Sequence, residues 1–257
     1  MMKPLFQKNL FFCVTVFAAS WIIPRSSFAG DALDLRADLW CPYTCDAEST
    51  EPGYLVEIAK SIFQKKGISI KYSTQSWART LTEARTGKID GAIGAGKSDE
   101  GLLFPSHHLG RSKNCFFAKN DSSFQFKDNK DLTGKKIGAI IEYTYSEPFD
   151  SFAKDNANIE RSGGENPVET NIKKLLAGRL DLMIEDENVV NYYLKKNPNP
   201  IKSVGCYEPT DIFVVFSPKK SESLQRIKSF NEGYKSLKAT GELKSILGKY
   251  GINEWKD

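Results

Sequence analysis

One phrase is written twice in this chain, about ninety residues apart. The first copy is Gly87-Lys88-Ile89-Asp90, after a helix-like stretch that opens at Ser76-Trp77. The second is Gly178-Arg179-Leu180-Asp181, after Lys174-Leu175-Leu176-Ala177. In each, a glycine stands where a helix ends in the left-handed conformation, and a short apolar run follows that reads as a buried parallel strand. Any αβ unit can end its helix on Gly plus a basic residue. The Asp at the matching place in both copies favours a true repeat, and so two lobes on one plan. The glycine-rich Gly94-Ala95-Gly96 after the first strand reads as a turn.

The rest of the chain fits two lobes. Its 257 residues suffice for one large domain or two small ones with real cores. Residues 1–29 stand apart. Lys3 and Lys8 precede the apolar run from Leu10 to Ala19, and Ser27-Phe28-Ala29 offers the small residues of a cleavage site. That is the layout of a secretory signal peptide, and it implies export to the periplasm. Cys13 lies inside the apolar run without the lipoprotein pattern, so the mature chain is expected to be soluble and not lipid-anchored; a monomer is expected. Losing Lys3, Lys8 and Arg25 takes the formal charge from +4 to +1. A near-neutral mature chain gives no electrostatic case for nucleic acid.

Four cysteines remain: Cys41, Cys45, Cys115 and Cys206. An even count in an exported chain favours disulfides, and Cys41-x-x-x-Cys45 is close enough to close locally. The two histidines, His107 and His108, are far in sequence from every cysteine, so no metal site and no cofactor is expected.

The first half reads β-α-β-α-β. Leu33 to Trp40 and Ile68 to Tyr72 alternate as strands, and Gly53 to Lys66 carries an amphipathic helical stripe. Further strands are expected at Cys115–Lys119, Ile137–Ile141, Ile201–Gly205 and Ile212–Ser217. Asn166-Pro167-Val168-Glu169 reads as a capping box, and two helices close the chain. The fold class is α/β with doubly wound sheets.

With these residues in place, the chain resembles the bacterial extracellular solute-binding proteins that serve polar amino acid ABC transporters. Four features carry the resemblance: Gly53-Tyr54 with Glu57-Ile58-Ala59; Trp77 with Gly87-Lys88-Ile89-Asp90; Asp131-Leu132-Thr133-Gly134-Lys135-Lys136-Ile137-Gly138; and Phe216-Ser217-Pro218-Lys219 before Leu224. It implies a two-lobed, type II periplasmic-binding-protein-like fold, with the ligand in a cleft between lobes and two strands crossing. The crossings are expected near His108–Cys115 and Ile212–Phe216. Lobe one is then residues 30–110 plus 216–257, and lobe two is 111–215. Cys115 and Cys206 flank the crossings on the lobe-two side, so a second bridge is expected there. The partners implied are a small polar, amino-acid-like solute and an ABC permease or a receptor.

The expected cleft residues follow. Trp40, Tyr43 and Trp77 lie at strand ends or helix starts, where an aromatic either flanks a ligand or packs in the core. By resemblance, Asp186 holds the ligand's ammonium group; by its own sequence context it is also an N-cap. Tyr143, Thr144, Tyr145 and Ser146 form a strand-to-helix turn whose N–H groups suit an anion. Many family members carry an Arg after the third strand that forks onto the ligand carboxylate. Here Gly96-Lys97-Ser98-Asp99-Glu100-Gly101 has none. Lys97 and Arg79 are the candidate replacements, although a solvated helix residue is the plain reading of Arg79. Two alternatives stand beside solute binding: an enzyme on the same scaffold, such as a cyclohexadienyl dehydratase-like protein, and a non-binding periplasmic interaction protein. Glu142, Glu185 and Asp186 could supply an acid or base, but no nucleophile–base pair is visible, and the chain is expected not to be an enzyme.

Overall fold

A computed structural model describes residues 1–2, 32–154, 156 and 158–255. The signal-peptide stretch, apart from Met1 and Met2, lies outside the described residues. The described residues form two five-stranded sheets. Sheet one runs β2-β1-β3-β10-β4, from β1 (Leu33–Ala37), β2 (Ile70–Thr74), β3 (Gly91–Gly96), β10 (Thr210–Phe216) and β4 (Gly110–Ser112). Sheet two runs β7-β6-β8-β5-β9, from β7 (Ile159–Ser162), β6 (Ile137–Ile140), β8 (Leu182–Asp186), β5 (Asn114–Lys119) and β9 (Ile201–Cys206). In each sheet three strands are parallel, the fourth (β10 or β5) runs antiparallel to them, and the fifth (β4 or β9) is antiparallel to the fourth and so runs with the first three. The helices are α1 (Tyr54–Gln64), α2 (Trp77–Thr86), α3 (Glu147–Ala153), α4 (Pro167–Leu176), α5 (Glu187–Lys196), α6 (Ser223–Ala239) and α7 (Glu242–Lys249).

The repeated phrase does the same work in both lobes. Gly87 and Gly178 take φ of 80° and 70°, a conformation that costs a side-chain-bearing residue energy and glycine little. Each glycine N–H returns to the preceding helix, at Ala84 and Leu175. The Asp carboxylates then cap neighbouring strands: Asp90 accepts from the Asp34 N–H and Asp181 from the Lys136 N–H, both at 2.8 Å. The backbone N–H groups of Asp90 and Asp181 donate to the carbonyls of the same two residues, at 3.0 and 2.8 Å. The repeat therefore pins β1 to β3 in one sheet and β6 to β8 in the other.

Four expectations change. Gly94-Ala95-Gly96 is not a turn but the second half of β3. Its glycines suit close approach of β10, since a Cβ at Gly91 would lie 2.1 Å from the Val215 carbonyl oxygen. The Asn166 side chain makes no capping bond, although Pro167 does open α4. β4 and β7 were not foreseen. Finally, β10 pairs with β3 and β4 in sheet one, and β4 holds Arg111 and Ser112 there as well. The chain crosses at Lys113 and again over residues 207–209. Residues 111–112 and 210–215 thus pair in the first sheet, where the boundary read from sequence had assigned them to lobe two. An apolar strand such as Ile212–Phe216 does not reveal which sheet it joins.

Both cysteine pairs meet. Cys41 is bonded to Cys45 and Cys115 to Cys206. The first closes the turn after β1, which contains a cis Cys41–Pro42 peptide. The second ties the start of β5 to the end of β9, beside both crossings.

Candidate functional site

The parallel strands of both sheets end towards one cavity of about 710 Å³ between the lobes, within the range of small-molecule sites. Lobe one supplies Asp38 and Trp40 after β1, Gly94, Gly96 and the residues from Lys97 to Asp99 at the end of β3, Trp77 from α2, and Arg111 and Ser112 from β4. Lobe two supplies Asn114 and the turn from Tyr143 to Ser146, then Glu147, Asp150, Ser151 and Lys154 of α3 and its end. The second crossing adds Pro209 to Ile212.

The turn after β6 is built by its own hydrogen bonds. Asp150 accepts from the Tyr145 N–H, and the Tyr145 hydroxyl accepts from the Ile140 N–H at 2.8 Å. Asn114 donates to the Tyr145 carbonyl at 2.6 Å, and Ser146 caps α3 through the Phe149 N–H. Glu142 in this turn has φ of 61°, the single positive value at a non-glycine among the described residues. Its side chain does not line the cavity. The lobes touch across the cleft. The Tyr143 hydroxyl donates to Asp38, and Ser98 donates to Thr144 at 2.9 Å.

The lining is acidic. Asp38, Asp99, Glu147, Asp150 and Asp211 face Lys97, Arg111 and Lys154. Burial pushes the Asp38 carboxyl up to about 6, against the lowering bond from Tyr143. Burial also raises Asp99 and Asp150 to about 6, partly offset by the backbone N–H groups of Gly96 and Tyr145 respectively. Burial outweighs the attraction of Arg85 on Asp99 and of Arg161 on Asp150, so a cation entering the cavity would relieve a cost already built in.

Of the expected residues, Trp40, Trp77, Lys97, Tyr143, Thr144 and Tyr145 line the cavity. Lys97 has its ammonium over the rings of Phe104 and Phe213, at 4.4 and 4.5 Å. Tyr43 does not line the cavity. Fully buried, it stacks beneath Trp40 at 4.1 Å, and its hydroxyl lies 3.0 Å from Asp186 Oδ2 and from the Arg111 carbonyl oxygen. Arg79 is also off the cavity, on the exposed face of α2 in an ion pair with Glu83.

Asp186 stands apart from the other expected residues. It is fully buried and absent from the cavity wall. Its Oδ2 accepts from Tyr43, Ser112 and the Lys113 N–H, and its Oδ1 from the Asn188 and Val189 N–H groups. The N-cap reading holds, and the carboxylate is spent on protein donors that knit β4, β5, α5 and the Trp40 turn together.

Sequence reasoning missed Asp38, Asp99, Asp150 and Arg111. Asp38 was legible as the residue after β1, at a strand's carboxyl end. Arg111 was legible as one of two basic residues, with Lys113, in an expected crossing. Its Nε donates to Asp211 at 3.1 Å, and its terminal nitrogens have no partner among the described residues.

Residues 37–253 match the model of a family described as bacterial extracellular solute-binding proteins, family 3. A probable histidine-binding protein of Campylobacter jejuni is 26% identical over 218 residues, 82% of this chain and 81% of that protein. The arginine-, lysine-, histidine-binding protein ArtJ of Geobacillus stearothermophilus superposes with a TM-score of 0.73 at 19% identity, over 88% of this chain and 97% of that one. A histidine kinase sensor domain with similarity to periplasmic binding proteins gives 0.75 at 18% identity, over 88% and 98%. The two structures establish likeness of fold. Family and relatives are binding proteins, not enzymes.

Proposed function

The chain belongs to the bacterial extracellular solute-binding proteins of family 3, and from that premise we propose that its interlobe cavity captures an amino acid carrying a cationic side chain. One observation carries the choice of charge: five carboxylates line the cavity against three basic groups, and three of those carboxylates are raised by burial. The relatives named for histidine and for arginine, lysine and histidine support the same class.

In this reading Asp38 and Asp99 meet the cation, with Trp40, Trp77 and Tyr143 around it. Aromatic faces add attraction for a cation within about 6 Å. Arg111 takes the ligand carboxylate, since a guanidinium offers the paired geometry that an ammonium lacks. Lys97 adds positive charge nearby, although its ammonium is engaged by two rings. The mature protein works in the periplasm and hands its solute to an ABC permease.

Calorimetric titration with L-arginine, L-lysine and L-histidine tests this. Asp38→Asn and Asp99→Asn should each weaken binding at least about tenfold, because a charge-assisted hydrogen bond contributes roughly 1.5–3 kcal/mol. Arg111→Ala should weaken an amino acid comparably and leave its decarboxylated amine unaffected. Parent-like affinity in both Asp variants would overturn the assignment of the cation site.

A further inference from the structure

Glu185 is a buried carboxyl that solute binding, as described, does not use. It sits on β8 opposite Cys115 of β5 and is 1% exposed, behind the cavity wall. Its Oε1 accepts two hydrogen bonds, from Trp40 Nε1 at 3.0 Å and from the Asp186 N–H at 2.8 Å. Its Oε2 is buried with no hydrogen-bond partner among the described residues. Trp40 belongs to lobe one and lines the cavity; Glu185 belongs to lobe two. The bond is therefore a tie between lobes, placed behind a wall that a ligand would touch.

Among the described residues, the titratable groups that act on Glu185 are acids and phenols. Asp38 comes from the end of β1, Tyr143 and Tyr145 from the β6–α3 turn, and Asp186 is its neighbour on β8. Cys115, opposite on β5, is in a disulfide and does not titrate. An ionised carboxylate with one bare oxygen is costly in such a place, and the neutral acid is not. Burial, with Asp186 and Asp38 adding to it, pushes the Glu185 carboxyl up to about 8, against the two bonds at Oε1.

We propose that Glu185 is a positioning residue that latches Trp40 onto the cavity, and that closing the lobes takes up one proton at its carboxyl. The inference rests on reading the interlobe cavity as the solute site. When the lobes part, Trp40 leaves with lobe one and Glu185 meets water in the open cleft, where a carboxylate is ionised at neutral pH. Closure returns it to the acid, with the proton drawn from solvent and released again on opening. Solute affinity then falls as pH rises, by up to about tenfold per pH unit between the open and closed titration points. The cavity acids Asp38, Asp99 and Asp150 titrate at about 6, so their influence is spent below that window's upper half.

The test follows the Trp40 indole N–H by NMR in the mature protein, free and with saturating L-arginine, from about pH 6.5 to about pH 9.5, with Trp40→Phe for assignment. The resonance should titrate near the Glu185 value of about 8 in the parent and stay flat in Glu185→Gln, which keeps an acceptor for the indole. A resonance flat in the parent both with and without L-arginine overturns the proposal, and so does a titration that survives in Glu185→Gln. If that variant does not fold, the parent's titration decides alone. Calorimetry with L-arginine and L-histidine between about pH 7 and about pH 8.5 should show uptake of a proton and a loss of affinity of about fivefold or more in the parent. Glu185→Gln should lose that slope, and a pH-independent parent affinity would overturn the coupling. If neither amino acid binds, the cationic-ligand reading fails, while the indole titration still judges Glu185.

Discussion

Asp186 and Glu185 are adjacent acids with opposite environments, because successive strand residues face opposite sides of the sheet. Asp186 is satisfied by five donors, and Asn cannot replace it without cost. An Asn amide keeping its oxygen on the Asn188 and Val189 N–H groups would turn its own NH2 towards the Lys113 N–H. Asp186→Asn should therefore lower stability by about 1–3 kcal/mol, read as a fall in melting temperature; an unchanged melting temperature would contradict the hydrogen-bond account. Glu185 carries a pH signature. With the lobes closed its carboxyl keeps a proton to about pH 8, against an ordinary value of 4.5. Between those values the folded state holds more protons than the unfolded one, so stability falls as pH rises and the loss is complete above about 8. Glu185→Gln should grow more stable relative to the parent from about pH 6.5 to about pH 9, and a constant difference in melting temperature would refute this. Neither environment is legible in Ile184-Glu185-Asp186-Glu187. A string of acids shows that a strand ends and a helix begins, but not which carboxylate finds donors.

At the scale of elements, periodicity was a good guide wherever an element buries one face. The stripe of α1, the glycine that ends α2 and the apolar runs of β6 and β8 all formed where their patterns placed them. β4 and β7 escaped because they are short edge strands with polar residues, Gly-Arg-Ser and Ile-Glu-Arg-Ser, and edges are commonly polar. β3 was cut short because its glycines resemble a turn until β10 is seen packed against them. The repeated Asp was legible as a mark of symmetry, while its partner, a backbone N–H on another strand, was not. Asp90→Ala and Asp181→Ala should each remove a charge-assisted bond at the start of a sheet and cost about 1.5–3 kcal/mol. Hydrogen exchange should quicken at the Asp34 amide in the first variant and at Lys136 in the second; protection unchanged at both would contradict the capping role. The Cys115–Cys206 bridge closes a span of 91 residues beside the crossings. Replacing both cysteines with Ser should cost roughly 2–5 kcal/mol in chemical denaturation, and a null effect would argue that the bridge does not form in solution.

At the scale of the molecule, two sheets with matching strand orders face each other across a cleft and are joined by two crossings. Lobes of this kind close by rotation at their connections, so the dihedral change should fall at Lys113 and over residues 207–209. The cavity belongs to neither lobe alone. That is why the sequence yielded its two walls separately, by strand ends and turn residues, and could not say which acids from one wall would stand opposite which bases from the other. The account's central claim is that this cavity holds a cationic amino acid. A thermal-shift panel on the mature protein tests it most directly, with arginine, lysine, histidine, glutamine, glutamate and linear polyamines side by side. A cationic amino acid at about 100 times its dissociation constant should add about 2.7 kcal/mol of stability, while glutamate adds none. Stabilisation by glutamate alone, or by no member of the panel, would contradict the claim.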